Sequence, residues 1–169
     1  RPEYDEPTMR LPFPGADHTY FVSDPNNVPS MLRASDTAAL RNSAIANLGF
    51  AEWASSYRIA VAEIMIGDRP ERLYAQGVSQ GFRQTVPLPI LLGRDFSDQD
   101  HREGDPLPIW ISHRFWMRAF GGDRGVLGQT YRVTGARSQH IVVVGILAPT
   151  VSSFDLNNEP PDAIAPEVT

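Results

Sequence analysis

Apolar and polar positions divide the chain into patterned blocks between proline-rich stretches. The lead-in, residues 1–34, holds Pro2, Pro7, Pro12, Pro14, Pro25 and Pro29. Proline fixes φ and removes an amide donor, which leaves room only for a short strand near 19–23. Ala38, Leu40, Arg41, Ala44, Ile45 and Leu48 then follow a helical pattern, with Ser35-Asp36 to cap it and Gly49 to end it. Residues 50–66 and 71–78 read as two strands around the turn Gly67-Asp68-Arg69-Pro70, a hairpin whose first strand is long, bent or bulged. A short helix is expected over 81–86, stopped by Pro87 and Pro89.

Residues 92–107 form a polar loop with Asp95, Asp98, Asp100, Glu103 and Asp105. A short buried strand, 108–111, then runs into the clearest helix, 112–120. Ser112 caps this helix, Phe115, Trp116, Ala119 and Phe120 share one face, and Gly121-Gly122 closes it. A second hairpin pairs 130–134 with 139–147 around Gly135-Ala136-Arg137-Ser138, and 148–169 is again proline-rich and polar. This order predicts an α+β fold: a mixed, mostly antiparallel sheet with helices packed on it, built from β-α-β type units. The expected organisation is a lead-in segment 1–34, a core domain 35–149, and an exit segment 150–169 that opens a truncated remainder.

Composition narrows the function. The chain has 169 residues, a net charge of −5 and no cysteine. All 15 basic residues are arginine, which a high-GC genome explains. An acidic chain with scattered arginines is a poor nucleic-acid binder. Without cysteine there is no disulfide scaffold, thiolate zinc site or cysteine nucleophile. The longest apolar run, residues 141–147, falls far short of the ~18 residues that a membrane helix needs.

Three patterns invite chemistry. Gly77-Val78-Ser79-Gln80-Gly81 matches the nucleophile elbow of serine hydrolases, and Asp123 and His140 follow in the order of a triad. However, residues 71–76 alternate polar and apolar like a half-exposed antiparallel strand, whereas an elbow ends a buried parallel one. His140 also opens a strand. The acidic loop, taken from Asp98 in a calcium-loop register, puts Arg102 at a ligand position and Glu103 where glycine is required. His18, His101, His113 and His140 lack metal-ligand spacing, so no metal or cofactor is expected. Trp110, Phe115, Trp116 and Phe120 read as core packing rather than a ligand pocket. Gly121-Gly122-Asp123-Arg124-Gly125 lacks the Lys-Ser/Thr of a phosphate loop and reads as a helix stop and turn.

Several runs, taken in order, carry more information. Gly67-Asp-Arg-Pro-Glu-Arg72 leads to Val78-Ser79 and then to Leu92-Gly93-Arg94-Asp95-Phe96 and Asp100. Ile111-Ser112-His-Arg-Phe115-Trp116 continues through Phe120-Gly121-Gly122-Asp123 to Gly128 and Val143-Val-Gly145. With Leu11-Pro-Phe-Pro14, these runs resemble the periplasmic core domain of MacB/FtsX-type ABC transporter permeases, particularly the long orphan permeases. The resemblance places Val78-Ser79 on a family motif at a strand end where no nucleophile is known.

The resemblance implies an extracytoplasmic domain of an inner-membrane permease, set between its first and second membrane helices. Such a domain is not an enzyme. It is a binding and force-transmitting module that couples cytoplasmic ATP hydrolysis to a periplasmic substrate or partner. The implied partners are the permease's own transmembrane part, a cytoplasmic ATPase and a periplasmic adaptor or substrate protein. The isolated fragment is expected to be monomeric and the full permease dimeric. A small serine hydrolase and a stand-alone protein-interaction domain are the alternatives.

Overall fold

The structure is a computed structural model that describes residues 56–86, 88–134, 140–150 and 160–168. The strand expected near 19–23, the helix over 35–48 and the turn at 135–138 lie outside the described residues.

β1 (Ser56–Ile66) and β2 (Arg69–Val78) form the first hairpin, with Ile66 opposite Arg69 across Gly67-Asp68. Gly67 has φ 61, a left-handed conformation that glycine adopts without a steric penalty. The register slips between Arg58 and Ala60, which is the irregularity expected of the long first strand. A one-turn helix, α1 (Phe82–Thr85), follows, then β3 (Ile90–Gly93) and β4 (Leu107–Ile111). The long helix is α2 (His113–Phe120), followed by a 3-10 turn at Arg124–Val126. β5 (Thr130–Thr134), β6 (His140–Leu147) and β7 (Ala163–Pro166) complete the described elements.

The strands make one mixed sheet in the order β3-β6-β4-β7-β2-β1-β5. β5 also pairs with β6, so the strand order closes back on itself. Among the described residues β2–β7 and β4–β6 are parallel and the other pairings are antiparallel, as an α+β, mostly antiparallel sheet requires.

Strand periodicity sorts the core into two clusters. Along β4, Ile109 and Ile111 join one cluster with Phe115, Trp116 and Ala119 of α2, while Trp110 between them joins another with Val78, Phe82 and Leu147. Successive strand side chains point to opposite faces, so one short strand serves both clusters. β7 does the same: Ala163 and Ala165 go to the first cluster and Ile164 to the second. Burying each large side chain contributes roughly 1.5–3 kcal/mol.

Three expectations are corrected. The exit segment is not polar throughout: Ala163–Pro166 is a fully buried strand between β2 and β4. Its proline closes the strand, so the ladder keeps its interior donors. The polar loop starts at Arg94 rather than at 92, because Leu92 and Gly93 pair with Ile146 and Gly145. Finally, β2 is half-exposed only in its first part. From Leu73 to Val78 it is buried apart from half-buried Ala75, because β7 pairs with it from Ala75 to Val78.

Candidate functional site

The two ends of the sheet carry different chemistry. At the hairpin end lie the Gly67-Asp68 turn and α2. Ser112 Oγ accepts a hydrogen bond from the Phe115 amide at 3.1 Å and caps the helix. Gly121, at φ 61, ends it, its amide donating to the Met117 carbonyl at 3.1 Å. α2 continues along β2 where β7 stops. Arg118 Nη2 donates to the Arg72 carbonyl at 3.5 Å, and Arg69 Nη2 to the Ala119 carbonyl at 3.3 Å.

Asp162 joins these parts. One carboxylate oxygen accepts from the Tyr74 amide at 3.1 Å. The other faces Arg114 Nη2 at 3.1 Å and Arg118 Nη2 at 3.4 Å. The Asp162 carbonyl also accepts from the Ser112 amide at 2.9 Å. The Asp162 side chain is 9% exposed, while Arg114 and Arg118 are 56% and 46% exposed. The carboxylate is therefore inside and the guanidinium groups outside.

At the opposite end, the 94–105 loop folds on itself. Arg94 grips Asp100 with both terminal nitrogens, at 2.6 and 3.1 Å. The Ser97 amide and hydroxyl donate to the same carboxylate at 2.6 and 2.8 Å. Desolvation works to raise the Asp100 pKa, but these bonds outweigh it and hold the carboxyl at about 2. The hydrogen bond to Asp100 in turn raises Arg94 above its ordinary value. Arg83 pairs with Asp95, and Gln80 Nε2 donates to Asp98 at 2.7 Å. Buried His101 contacts the Glu167 carbonyl through Nδ1 at 2.9 Å.

The loop's apolar anchor is Phe96, stacked on Trp110 with centroids 3.8 Å apart. Trp110 Nε1 donates to the Arg94 carbonyl at 3.1 Å. Two glycines make room for this. A Cβ on Gly145 would come within 2.8 Å of the Trp110 ring, and one on Gly93 within 2.2 Å of the Val144 carbonyl oxygen.

The residues singled out from sequence fall as follows. Trp110, Ile111, Phe115, Trp116, Val143 and Gly145 are buried; Leu92, Phe96, Ser112, Phe120 and Gly122 are half-buried. Gly93, Arg94, Gly121, Asp123 and Gly128 are exposed, with Gly128 at φ 76 and its amide donating to the Val143 carbonyl at 2.8 Å.

The triad candidates do not assemble. Ser79 follows β2, whose buried end and parallel neighbour suit an elbow better than the sequence pattern suggests. Its proposed partners are engaged elsewhere. His140 Nδ1 meets Asp105 Oδ2 at 2.8 Å, and its amide donates to Asp105 Oδ1 at 2.9 Å. The Asp105 carboxyl is lowered, first by the bond to His140. Asp123 uses its carboxylate to cap the 3-10 turn, accepting from the Gly125 amide at 2.8 Å, and its carbonyl accepts from Trp116 Nε1 at 2.7 Å. β7 and β4 stand between β2 and β6. Among the described residues no three His, Asp or Glu side chains gather as metal ligands, and no helix is long and apolar enough to cross a membrane.

Sequence reasoning missed Asp162 and the Arg94–Asp100 and Asp105–His140 pairs. Asp162 carries no local signal, since its partners lie 48 and 88 positions away.

The family model for the MacB-like periplasmic core domain matches residues 8–169. The chain belongs to this family. Solved structures agree on the fold of this MacB-like domain. The extracellular domain of the noncanonic ABC-type transporter YknZ from Gram-positive bacteria superposes with TM-score 0.57 at 19% identity, covering 75% of this chain and 59% of that one. The periplasmic region of MacB from Actinobacillus actinomycetemcomitans gives 0.54 at 12% identity, covering 80% and 55%. The chain thus spans a little over half the length of these structures. Compared with curated proteins by sequence, it matches none.

Proposed function

We propose that this chain is the extracytoplasmic domain of a MacB/FtsX-like ABC permease. It serves as a binding and force-transmitting module between cytoplasmic ATP hydrolysis and a periplasmic substrate or partner, and performs no catalysis itself. Membership in the MacB-like family supports the setting. The observation that carries the module reading is a single row of the sheet. Ser56 opens β1 opposite Val78, and Pro166 closes β7 opposite the same Val78. The first and last described strands therefore meet the rest of the chain at one end, two strand spacings or about 10 Å apart. The hairpin turn and α2 project from the other end. A load applied at the tether end passes into strands paired on both edges, which resist it through their whole ladder.

The test uses the absence of native cysteine in the chain. In intact cells carrying the full permease gene, Arg102→Cys should react with a membrane-impermeant maleimide. Reaction only after lysis would place the domain on the wrong side and sink the proposal. In proteoliposomes, an antibody fragment clamped on the Gly67-Asp68 turn should slow ATP hydrolysis by the transporter; an unchanged rate would break the coupling. A fluorophosphonate probe should leave Ser79 unlabelled, whereas stoichiometric labelling lost in Ser79→Ala would restore the hydrolase reading.

A further inference from the structure

We infer that the hairpin end is a docking surface for an acidic protein partner, built from Arg69, Arg114, Met117 and Arg118. The inference rests on the reading of the domain as a binding module and names the surface that binds.

Three observations converge on it. First, this end shows three guanidinium groups to solvent, alongside the exposed Asp68 of the turn, although the chain as a whole is acidic. Arg69, Arg114 and Arg118 are 61%, 56% and 46% exposed, while their carboxylate partners Glu71 and Asp162 are 23% and 9% exposed. Second, the arginines are held in place. Asp162 fixes Arg114 and Arg118, and the Ala119 carbonyl and Glu71 fix Arg69. Each of these bonds uses Nε or Nη2. A guanidinium already fixed loses little entropy when it takes a second carboxylate, and its planar fork suits bidentate pairing. Third, Met117 is 49% exposed in the same helical stretch, one of the few large apolar side chains so exposed among the described residues. Methionine adapts to the shape of a partner, and arginine is enriched at interface centres.

The make-up of the patch chooses the occupant. The strand ends Ser56 and Pro166 leave from the other end of the sheet. An exposed methionine set among fixed guanidinium groups suits a carboxylate-bearing protein surface better than lipid headgroups. The acidic loop 94–105 sits at the tether end, and its charge steers an acidic partner away from there.

The experiment titrates the isotope-labelled full chain with a synthetic peptide of alternating Asp and Glu, and separately with phosphatidylglycerol vesicles. Amide shifts should move in α2 and around Arg69 on adding peptide and should fade at high salt. The double variant Arg114→Gln/Arg118→Gln should weaken peptide binding by about tenfold, and Arg69→Gln by roughly threefold. Because the double variant leaves Asp162 without its partners, the pair Arg69→Gln/Met117→Ser, which does not touch Asp162, keeps the test sound if the double variant fails to fold. Glu103→Gln at the tether end should leave affinity unchanged. Peptide binding indifferent to the arginine variants, no peptide binding, or tighter binding to vesicles than to peptide would each overturn the inference. These measurements need only the domain, so their failure is separable from failure of the maleimide test in cells.

Discussion

At the α2 end of the sheet, apolar side chains do most of the holding: Phe115, Trp116 and Ala119 sit in the larger core cluster with Ile109, Ile111 and Val143. At the loop end, only Phe96 of residues 94–105 packs against a core cluster, and the rest of the order comes from carboxylates, arginines and backbone amides. The two ends should fail differently. Apolar burial is nearly indifferent to pH and salt. A polar knot depends on the ionisation of its carboxylates and on how much water reaches them. The contrast also explains why one end can project a binding surface. Its stability comes chiefly from beneath α2, while Arg114 and Arg118 hold Asp162 from the solvent side.

The largest expected effect is at the apolar end. Trp116→Ala removes a buried indole and its hydrogen bond to Asp123, and should cost about 3–5 kcal/mol in a urea melt. An unchanged melting curve would mean that α2 is not the apolar clamp described.

Next comes the glycine contact beneath the loop. Gly93→Ala would place a methyl group against the Val144 carbonyl at φ +90, and should cost about 2–3 kcal/mol. If the variant melts like the parent, β3 does not approach β6 as closely as this account requires.

The third prediction separates the two ends by pH. Asp100 has its folded pKa depressed to about 2 from the ordinary 3.8. Its contribution is therefore fully present above about pH 4 and is lost as pH falls through 2. Arg94 is half-exposed, so screening limits the pair to about 1 kcal/mol. Asp100→Asn should be less stable than the parent at pH 6, and the gap should close toward pH 2. A gap that stays constant would show that Asp100 acts through shape and not charge. Trp116→Ala should show the constant gap instead.

The smallest effect belongs to the Asp105–His140 pair, which is about half exposed on both sides. His140→Ala should leave the melting temperature within error at neutral pH. A clear drop there would mean that this surface pair fastens the loop end more firmly than its solvation allows.

Much of the fold was legible in the order of residues because the relevant forces are local. Ser112, the 3.6-residue spacing of Phe115, Trp116 and Ala119, and Gly121 specify α2 with its cap and stop, since each acts within one or two helical turns. Gly67 likewise specifies the hairpin turn between β1 and β2. The family's runs were readable for the same reason: Leu92-Gly93-Arg94 and Val143-Val-Gly145 are short and contiguous. What those glycines are for was not readable, because the Trp110 ring and the Val144 carbonyl that they admit come from other strands.

β7 is the clearest case of a decision left to tertiary structure. Pro160-Pro161-Asp162-Ala163-Ile164-Ala165-Pro166 has too few apolar residues and too many prolines to announce a strand. It becomes one because β2 and β4 offer two unsatisfied edges, and its two alanines join Leu73, Ile111 and Phe115 in one cluster. Asp162 follows from the same placement. Alone it is a polar residue after two prolines; beside Tyr74, Arg114 and Arg118 it is a buried anchor. The triad suggested by Ser79, Asp123 and His140 went the other way. Chain order could propose it, but only the strand order could put β7 and β4 between its members and hand His140 to Asp105. Local sequence determines which elements form, because caps, turns and periodicity act over a few residues. Only the pairing of strands distant along the chain decides which side chains meet, because the free energy of those contacts exists only once the sheet has closed.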